Sequence, residues 1–277
     1  MKILFLGGNR YFGKGVLELL SDDKKNHIYL INRGTKINLI RKNITHIKSE
    51  RNNIKQLSAF LKNQYFDVVF DNIAYKLTDV KNLLKVLDNR FNKYIYSSTI
   101  MVKPIIANNK KILFKNYTSS EIKYGKKKLI IEEFLKKERI NHNILRIHSV
   151  LGKNDFSQKS YDIMNTSHED IIKFQIKHND KLQFIYENDL LKIICYLIKN
   201  HKKNKYKILE IANDSINFID FYKLINSDNQ HSIERKRYPF PVNLMASNYN
   251  MKKIIPFNLT SINSIIRTTK ADKKKNN

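Results

Sequence analysis

The chain has 277 residues, 42% of them hydrophobic, with a single cysteine and a formal net charge of +27. That length holds one large α/β domain or a domain with an extension, the lone Cys195 excludes an intramolecular disulfide, and no apolar run nears the ~20 residues that span a bilayer. Without a signal-like start the expected location is the cytoplasm, with no membrane partner. The lysines scatter through every segment beside many asparagines and isoleucines, which favours a compositional bias over a dedicated nucleic-acid face as the source of the charge. The histidines show no ligand spacing, so no metal site is expected.

Lys2–Leu6 is a short apolar run suited to a strand buried on both faces of a parallel sheet. Gly7, Gly8 and Gly13 follow, in a chain with only seven glycines, and residues 14–20 carry apolar side chains at helical spacing. A tight turn feeding a helix N-terminus offers unpaired N–H groups and a positive dipole end to a phosphate. Arg10 stands between the glycines where the dinucleotide fingerprint has another glycine. Alone, the turn reads equally as a strand-turn-helix that binds nothing.

A second strand over residues 27–31 ends at Asn32, Arg33 and Gly34. An acidic residue here would hold a ribose 2′-hydroxyl, whereas an arginine accommodates a 2′-phosphate; Arg33 with Arg10 therefore tilts the cofactor towards NADP over NAD. Arg33 also reads as a solvated turn residue before Gly34. Residues 44–47 suit a third strand, Ile54, Leu57, Phe60 and Leu61 a helical stripe, residues 66–70 a fourth strand, Leu77–Leu87 a helix and residues 93–97 a fifth strand. This alternation predicts a Rossmann-like doubly wound parallel sheet, which binds ligands outside the carboxyl ends of its strands. The tips at Asp71, Asn72, Ile73 and Ala74 and at Ser97, Ser98 and Thr99 would then face the same crevice as the glycine turn.

Residues 121–139 read as a long helix with Tyr124 and Lys128 one turn apart on one face, where an ammonium would favour the ionised phenol. A second Tyr-x-x-x-Lys, Tyr249 and Lys253, shows that the spacing alone means little in so lysine-rich a chain. Position separates the two, because Tyr124 opens a helix that follows the Ser-Ser-Thr strand tip.

In this order the motifs resemble the extended or atypical short-chain dehydrogenase/reductases of the NAD(P)-dependent epimerase/dehydratase group. The carrying stretches are Gly7 to Gly13, Asn32-Arg33-Gly34, Asp67 to Asp71, Tyr96-Ser97-Ser98-Thr99, Tyr124-Gly125-Lys126-Lys127-Lys128 with Glu132-Glu133, Ile144-Leu145-Arg146 with Val150-Leu151-Gly152, and Phe184-Ile185-Tyr186 with Asp189-Leu190. The resemblance implies an NAD(P)-binding domain over residues 1–151 and a substrate-binding region over 152–269 that partly returns to the core, with a disordered basic tail at 270–277. It implies pyrophosphate binding by Gly7, Gly8 and Gly13, with Asn9 and Phe12 in the same loop, and adenosine phosphate binding by Arg10 and Arg33 beside Asn32. Asn72, Ile73 and Ala74 would line the cofactor, and Thr99 or Ser98, Tyr124 and Lys128 would form the catalytic set, with Tyr124 as general acid/base and Lys128 on the nicotinamide ribose.

The implied activity is epimerase, dehydratase or plain reductase chemistry on a sugar nucleotide or a related hydroxyl/keto substrate. Arg10, Asp71 in place of a frequent histidine, and His148 and Lys153 in place of prolines depart from the common pattern. The first two are similar to atypical members, among them RNA-binding relatives, so a non-catalytic nucleotide-binding or RNA-binding protein is the rival reading. The resemblance also admits a homodimer.

In the C-terminal part, residues 182–186 and 207–212 read as strands, and residues 189–200, Phe218–Ile225 and 261–266 as helices. Arg146, Asp189 and Arg235 are candidate substrate contacts. Asp189 reads equally as a helix N-cap, and Arg235 belongs to a basic loop that could meet a phosphate or only solvent.

Overall fold

The computed structural model describes residues 1–34, 39–108, 117–155, 157–225 and 238–274. Seven strands form one parallel sheet: β1 (Lys2–Leu6), β2 (His27–Asn32), β3 (Ile44–Lys48), β4 (Phe66–Asp71), β5 (Phe91–Thr99), β6 (His142–Ile147) and β10 (Ile208–Ile211), in the order β10-β6-β5-β4-β1-β2-β3. The order reverses between β1 and β4, so the tips of these strands open a crevice at the point where a doubly wound sheet holds its ligand.

Alternation along β1 builds the two layers of the core. Ile3 and Phe5 face a cluster with Val16, Leu17 and Leu20 of α1 (Tyr11–Asp22) and Leu190, Ile193 and Ile194 of α8 (Glu187–Lys199). Leu4 and Leu6 face the opposite cluster, with Leu57 and Leu61 of α2 (Ile54–Leu61), Val80 and Leu83 of α3 (Leu77–Leu87), and Ile131 and Leu135 of α5 (Ser119–Lys137). Strands buried on both faces read as continuous apolar runs, which is why the sequence announced them. α4 (Val102–Ala107) packs beside α5.

The chain beyond β6 divides its loyalty. α8 packs on α1 and β10 pairs with β6, so both complete the main sheet and its covering layer. α10 (Tyr249–Ile254) joins them, with Met251 in the first cluster, and a third core cluster, with Met164, Phe184, Phe218, Phe221, Phe240 and Ile265, gathers α6 (Lys159–Met164), α7 (His168–Lys173), α9 (Phe218–Ile225), α11 (Ile262–Lys274) and parts of two small sheets.

Residues 182–186, expected as one strand, are two: β8 (Lys181–Leu182) pairs with β11 (Ile216–Asn217), and β9 (Ile185–Tyr186) pairs with β7 (Val150–Leu151). The amide of Gln183 donates to Asn213 O at 2.9 Å and accepts from Ala246 N at 2.6 Å, which pins the join between them. The segment from Lys270, expected to be disordered, continues α11 through Lys274. Thr268 and Thr269 bond back to Ser264 O and Ile265 O, and Lys270 Nζ reaches Leu224 O of α9.

Candidate active site

The strand tips and the glycine turn enclose one cleft of about 750 Å³. Gly7 turns the chain with φ +96°, and a Cβ there would lie 2.4 Å from Ile73 Cγ2. A Cβ on Gly13 would lie 2.3 Å from Gly7 O, so α1 can start directly under the end of β1 only because this residue is glycine. The N-cap Arg10 makes no side-chain cap bond, which leaves the first N–H groups of α1 open to the cleft. Tyr11 holds the turn from the other side: it adopts φ +54°, and its hydroxyl donates to Val150 O at 2.9 Å.

Asn9, Arg10, Phe12, Asn32, Arg33, Asn72 and Ile73 line this cleft with Gly7, whereas Gly8, Gly13 and Ala74 support it from behind. Asn32 is committed to the wall, since its amide donates to Asn9 Oδ1 at 2.6 Å and its oxygen meets Gly34 N and His46 Nε2. Arg10 and Arg33 are both exposed, and neither guanidinium has a bonding partner among the described residues.

At the far end of the cleft stand Thr99, Tyr124 and Lys128. Thr118 caps α5 by accepting from Glu121 N, while Glu121 reaches back to Thr118 N, so the helix begins at Ser119 and carries Tyr124 in its second turn. Gly125 brings that helix onto Met101 O, where a Cβ would sit 2.8 Å away. Lys128 is 2% exposed. Its Nζ donates to Ser97 O at 2.8 Å and to Ala74 O at 2.9 Å, and lies 4.8 to 5.7 Å from the ring centres of Tyr96, Tyr75 and Tyr124.

Burial lowers the Lys128 ammonium to about 8, with Asp71 pulling up against Arg51. The phenol does not follow the expected direction. Burial, with Tyr75 adding to it, raises Tyr124 above its ordinary value, because the ammonium lies under the rings and is turned to two carbonyls. Tyr124 is therefore held as the protonated acid. The Thr99 hydroxyl accepts from Met101 N at 3.3 Å and keeps its own proton to donate. The rival Tyr249 and Lys253 lie on α10 with Tyr249 62% exposed, outside the cleft.

Three candidates are otherwise engaged. Ser98 donates to Glu132 Oε1 at 2.6 Å, which turns its hydroxyl into the protein. Arg146 grips the same carboxylate, with Nη2 to Oε2 at 2.7 Å, and extends to Glu210; it lies outside the cleft lining. Asp189 is 1% exposed and accepts from Thr260 N, Thr260 Oγ1 and Asn213 Nδ2, tying a loop to α8 from the third position of that helix, so it neither faces the cleft nor acts as the N-cap. Arg235 lies outside the described residues.

Sequence reasoning missed Glu50, Arg51, Tyr75 and His148, all of which line the cleft. The carboxyl-end rule applied to β4 and β5 would have reached Glu50 and Arg51, just beyond β3. His148 is 3% exposed, accepts from Ser149 N through Nδ1 and donates to Leu244 O through Nε2, so it is a satisfied neutral imidazole, lowered to about 4 by burial.

The architecture matches solved structures along their whole length. UDP-glucose 4-epimerase from Thermotoga maritima, solved with UDP-glucose, superposes with a TM-score of 0.71 at 13% identity, covering 100% of this chain and 99% of that one. UDP-glucuronic acid 4-epimerase from Bacillus cereus, in complex with UDP-glucuronic acid and NAD, gives 0.68 at 15% identity over 100% of both chains. The chain has the fold of these epimerases. dTDP-glucose 4,6-dehydratase from Bacillus anthracis, in complex with NAD, shares it with a TM-score of 0.69 at 13% identity over 100% of this chain and 97% of that one. No family model and no curated protein sequence matches the chain. No helix among the described residues is long and apolar enough to cross a membrane.

Proposed function

We propose that this chain is an NAD(P)-dependent enzyme that epimerises, dehydrates or reduces a sugar nucleotide or a related hydroxyl/keto substrate. The observation that carries the reading is the junction of two sites in one cleft: an open helix N-terminus behind a glycine turn at one end, and Thr99, Tyr124 and Lys128 at the other. A dinucleotide fits this arrangement. Its pyrophosphate would meet the first N–H groups of α1 where Gly7 and Gly13 leave no side chain, and its nicotinamide ribose the one N–H that Lys128 does not give to Ala74 or Ser97. Arg10 and Arg33, exposed at the adenosine end, favour a 2′-phosphate and hence NADP.

When bound, the nicotinamide supplies a hydride acceptor and donor. Thr99 donates its hydroxyl proton to the substrate oxygen and polarises the C–O bond. Tyr124, held protonated, delivers its proton to a carbonyl oxygen in the reducing direction and recovers one from a hydroxyl in the oxidising direction. Lys128 keeps a positive charge beneath the ring, which limits the cost of the transient phenolate. The likeness to enzymes solved with UDP-glucose and UDP-glucuronic acid supports a sugar nucleotide as substrate.

Mass spectrometry of small molecules retained by the purified protein, followed by titration with NADPH and NADH, tests the cofactor. Tyr124→Phe tests the chemistry: turnover of a sugar nucleotide falls by about 10²-fold or more while cofactor affinity stays unchanged. Normal turnover by that variant would overturn the mechanism. RNA binding with a steep salt dependence and no affinity for either nucleotide would favour the rival reading.

A further inference from the structure

Arg51 follows β3, and its side chain, 10% exposed, lines the cleft. It makes parallel bonds to both oxygens of Asp71, 2.9 Å each, and a third bond of 2.9 Å from Nη2 to the backbone oxygen of Asp79. Those two acids are the anchors of the loop between β4 and α3. Asp71 Oδ1 accepts from Ile73 N, and Asp79 Oδ2 accepts from Tyr75 N and Lys76 N, while Asn52 steadies Asp79 Oδ1. The loop so fixed has two products at the reaction end of the cleft: Ala74 O, which takes a bond from Lys128, and the Tyr75 ring, which lies 4.9 Å from the ammonium and 6.2 Å from the ring of Tyr124.

We propose that Arg51 is a positioning residue for Lys128: by clasping Asp71 and Asp79 together it holds the 72–76 loop in the one shape that presents Ala74 O and Tyr75 to the lysine. A guanidinium suits this task because its planar fork satisfies a carboxylate with two donors and leaves a third for the Asp79 carbonyl. Lysine cannot reproduce that geometry. The Tyr94 hydroxyl donates to Asp71 Oδ2 at 2.6 Å and completes the shell of an acid with no solvent exposure, so the clasp is rigid rather than a loose surface pair. As a device of the active site the inference rests on the proposed role of Lys128.

The test needs neither cofactor nor substrate. Acetylation of lysines by acetic anhydride in the folded protein, read peptide by peptide by mass spectrometry, reports how often each ammonium is freed. Lys93, 4% exposed and bonded through Nζ to Asn204 O, is a buried control whose ammonium has no bond to Arg51, Asp71 or Asp79. In Arg51→Lys the labelling rate of Lys128 rises about tenfold while that of Lys93 stays at the wild-type level, as expected for the local loss of one charged hydrogen bond. Asp79→Asn, which keeps the Asp79 carbonyl but weakens the loop's anchor, gives the same pattern at smaller size and serves if Arg51→Lys does not fold. Equal rises at Lys93 and Lys128 would mean a general loss of stability, and no rise at either would mean that the loop holds itself; both overturn the inference. A wild-type chain that binds no NAD(P)H would overturn the proposed function and leave the labelling result standing.

Discussion

Lys128 spends two of its three donors on backbone carbonyls, so its usefulness to a ligand depends on the proton that carries the third. With the ammonium lowered to about 8, it is charged below that pH and loses its proton above it. Affinity for NAD(P)H should therefore be flat through neutral pH and fall above about 8, approaching tenfold per pH unit; fluorescence titration across this range checks it, and Lys128→Met should remove the limb. On the proposed reading, Arg33 would meet a different part of the cofactor. Arg33→Ala should weaken NADPH about tenfold or more and leave NADH unchanged, since one charged hydrogen bond to a 2′-phosphate is worth about 1.5–3 kcal/mol. Equal effects on both nucleotides would place Arg33 elsewhere in the site. That Tyr124 and Lys128 share a helix face was legible in the sequence from their i, i+4 spacing, and their place in the cleft from the Ser-Ser-Thr strand tip that precedes their helix. The clasp of Arg51 on Asp71 was not, because the two stand twenty residues apart and meet only through the order of the strands in the sheet.

Glycines separate helix positions that must approach a backbone from those that merely lack a side chain. A Cβ on Gly125 would press on Met101 O at 2.8 Å, and backbone cannot rotate away; one on Gly15 would meet Leu191 Cδ1 at 2.6 Å, the end of a movable side chain. Gly125→Ala should cost about 1–3 kcal/mol and shift the helix that carries Tyr124 and Lys128. Gly15→Ala, in the interior of α1, should be near neutral, because a gain in helix propensity of about 1 kcal/mol offsets the repacking of Leu191. Thermal unfolding of the two variants compares them directly. The strands of the main sheet were legible as continuous apolar runs, and the paired tips followed from the topology rule. The join at Gln183 was not legible, because a single side-chain amide bonded to residues 30 and 63 positions later divides an unbroken β-like run. Arg146 and Asp189 misled for a related reason: a charge in a motif-like stretch says nothing of whether a counter-group elsewhere has already claimed it.

At the scale of the molecule, His148 makes a buried contact between the two halves that titrates. From the end of β6 its Nε2 donates to Leu244 O in the C-terminal part, and its Nδ1 accepts from Ser149 N. Protonation puts a hydrogen on Nδ1, which breaks the second bond and strands a charge in a site 3% exposed. The native state thus resists binding a proton until about pH 4, whereas the unfolded chain takes one near the ordinary value of 6.5. Between those values the unfolded state holds more protons, so stability falls as pH drops through the window, by an amount on the order of 3 kcal/mol for this group. His148→Gln keeps a donor for Leu244 O and an acceptor for Ser149 N but cannot titrate. Urea unfolding at about pH 7 and pH 4.5 should show wild type losing more stability than the variant, by a margin approaching that size. An equal loss in both would mean that the acid sensitivity arises from carboxylates such as Asp71, which is fully buried and lowered by Arg51 against the cost of that burial.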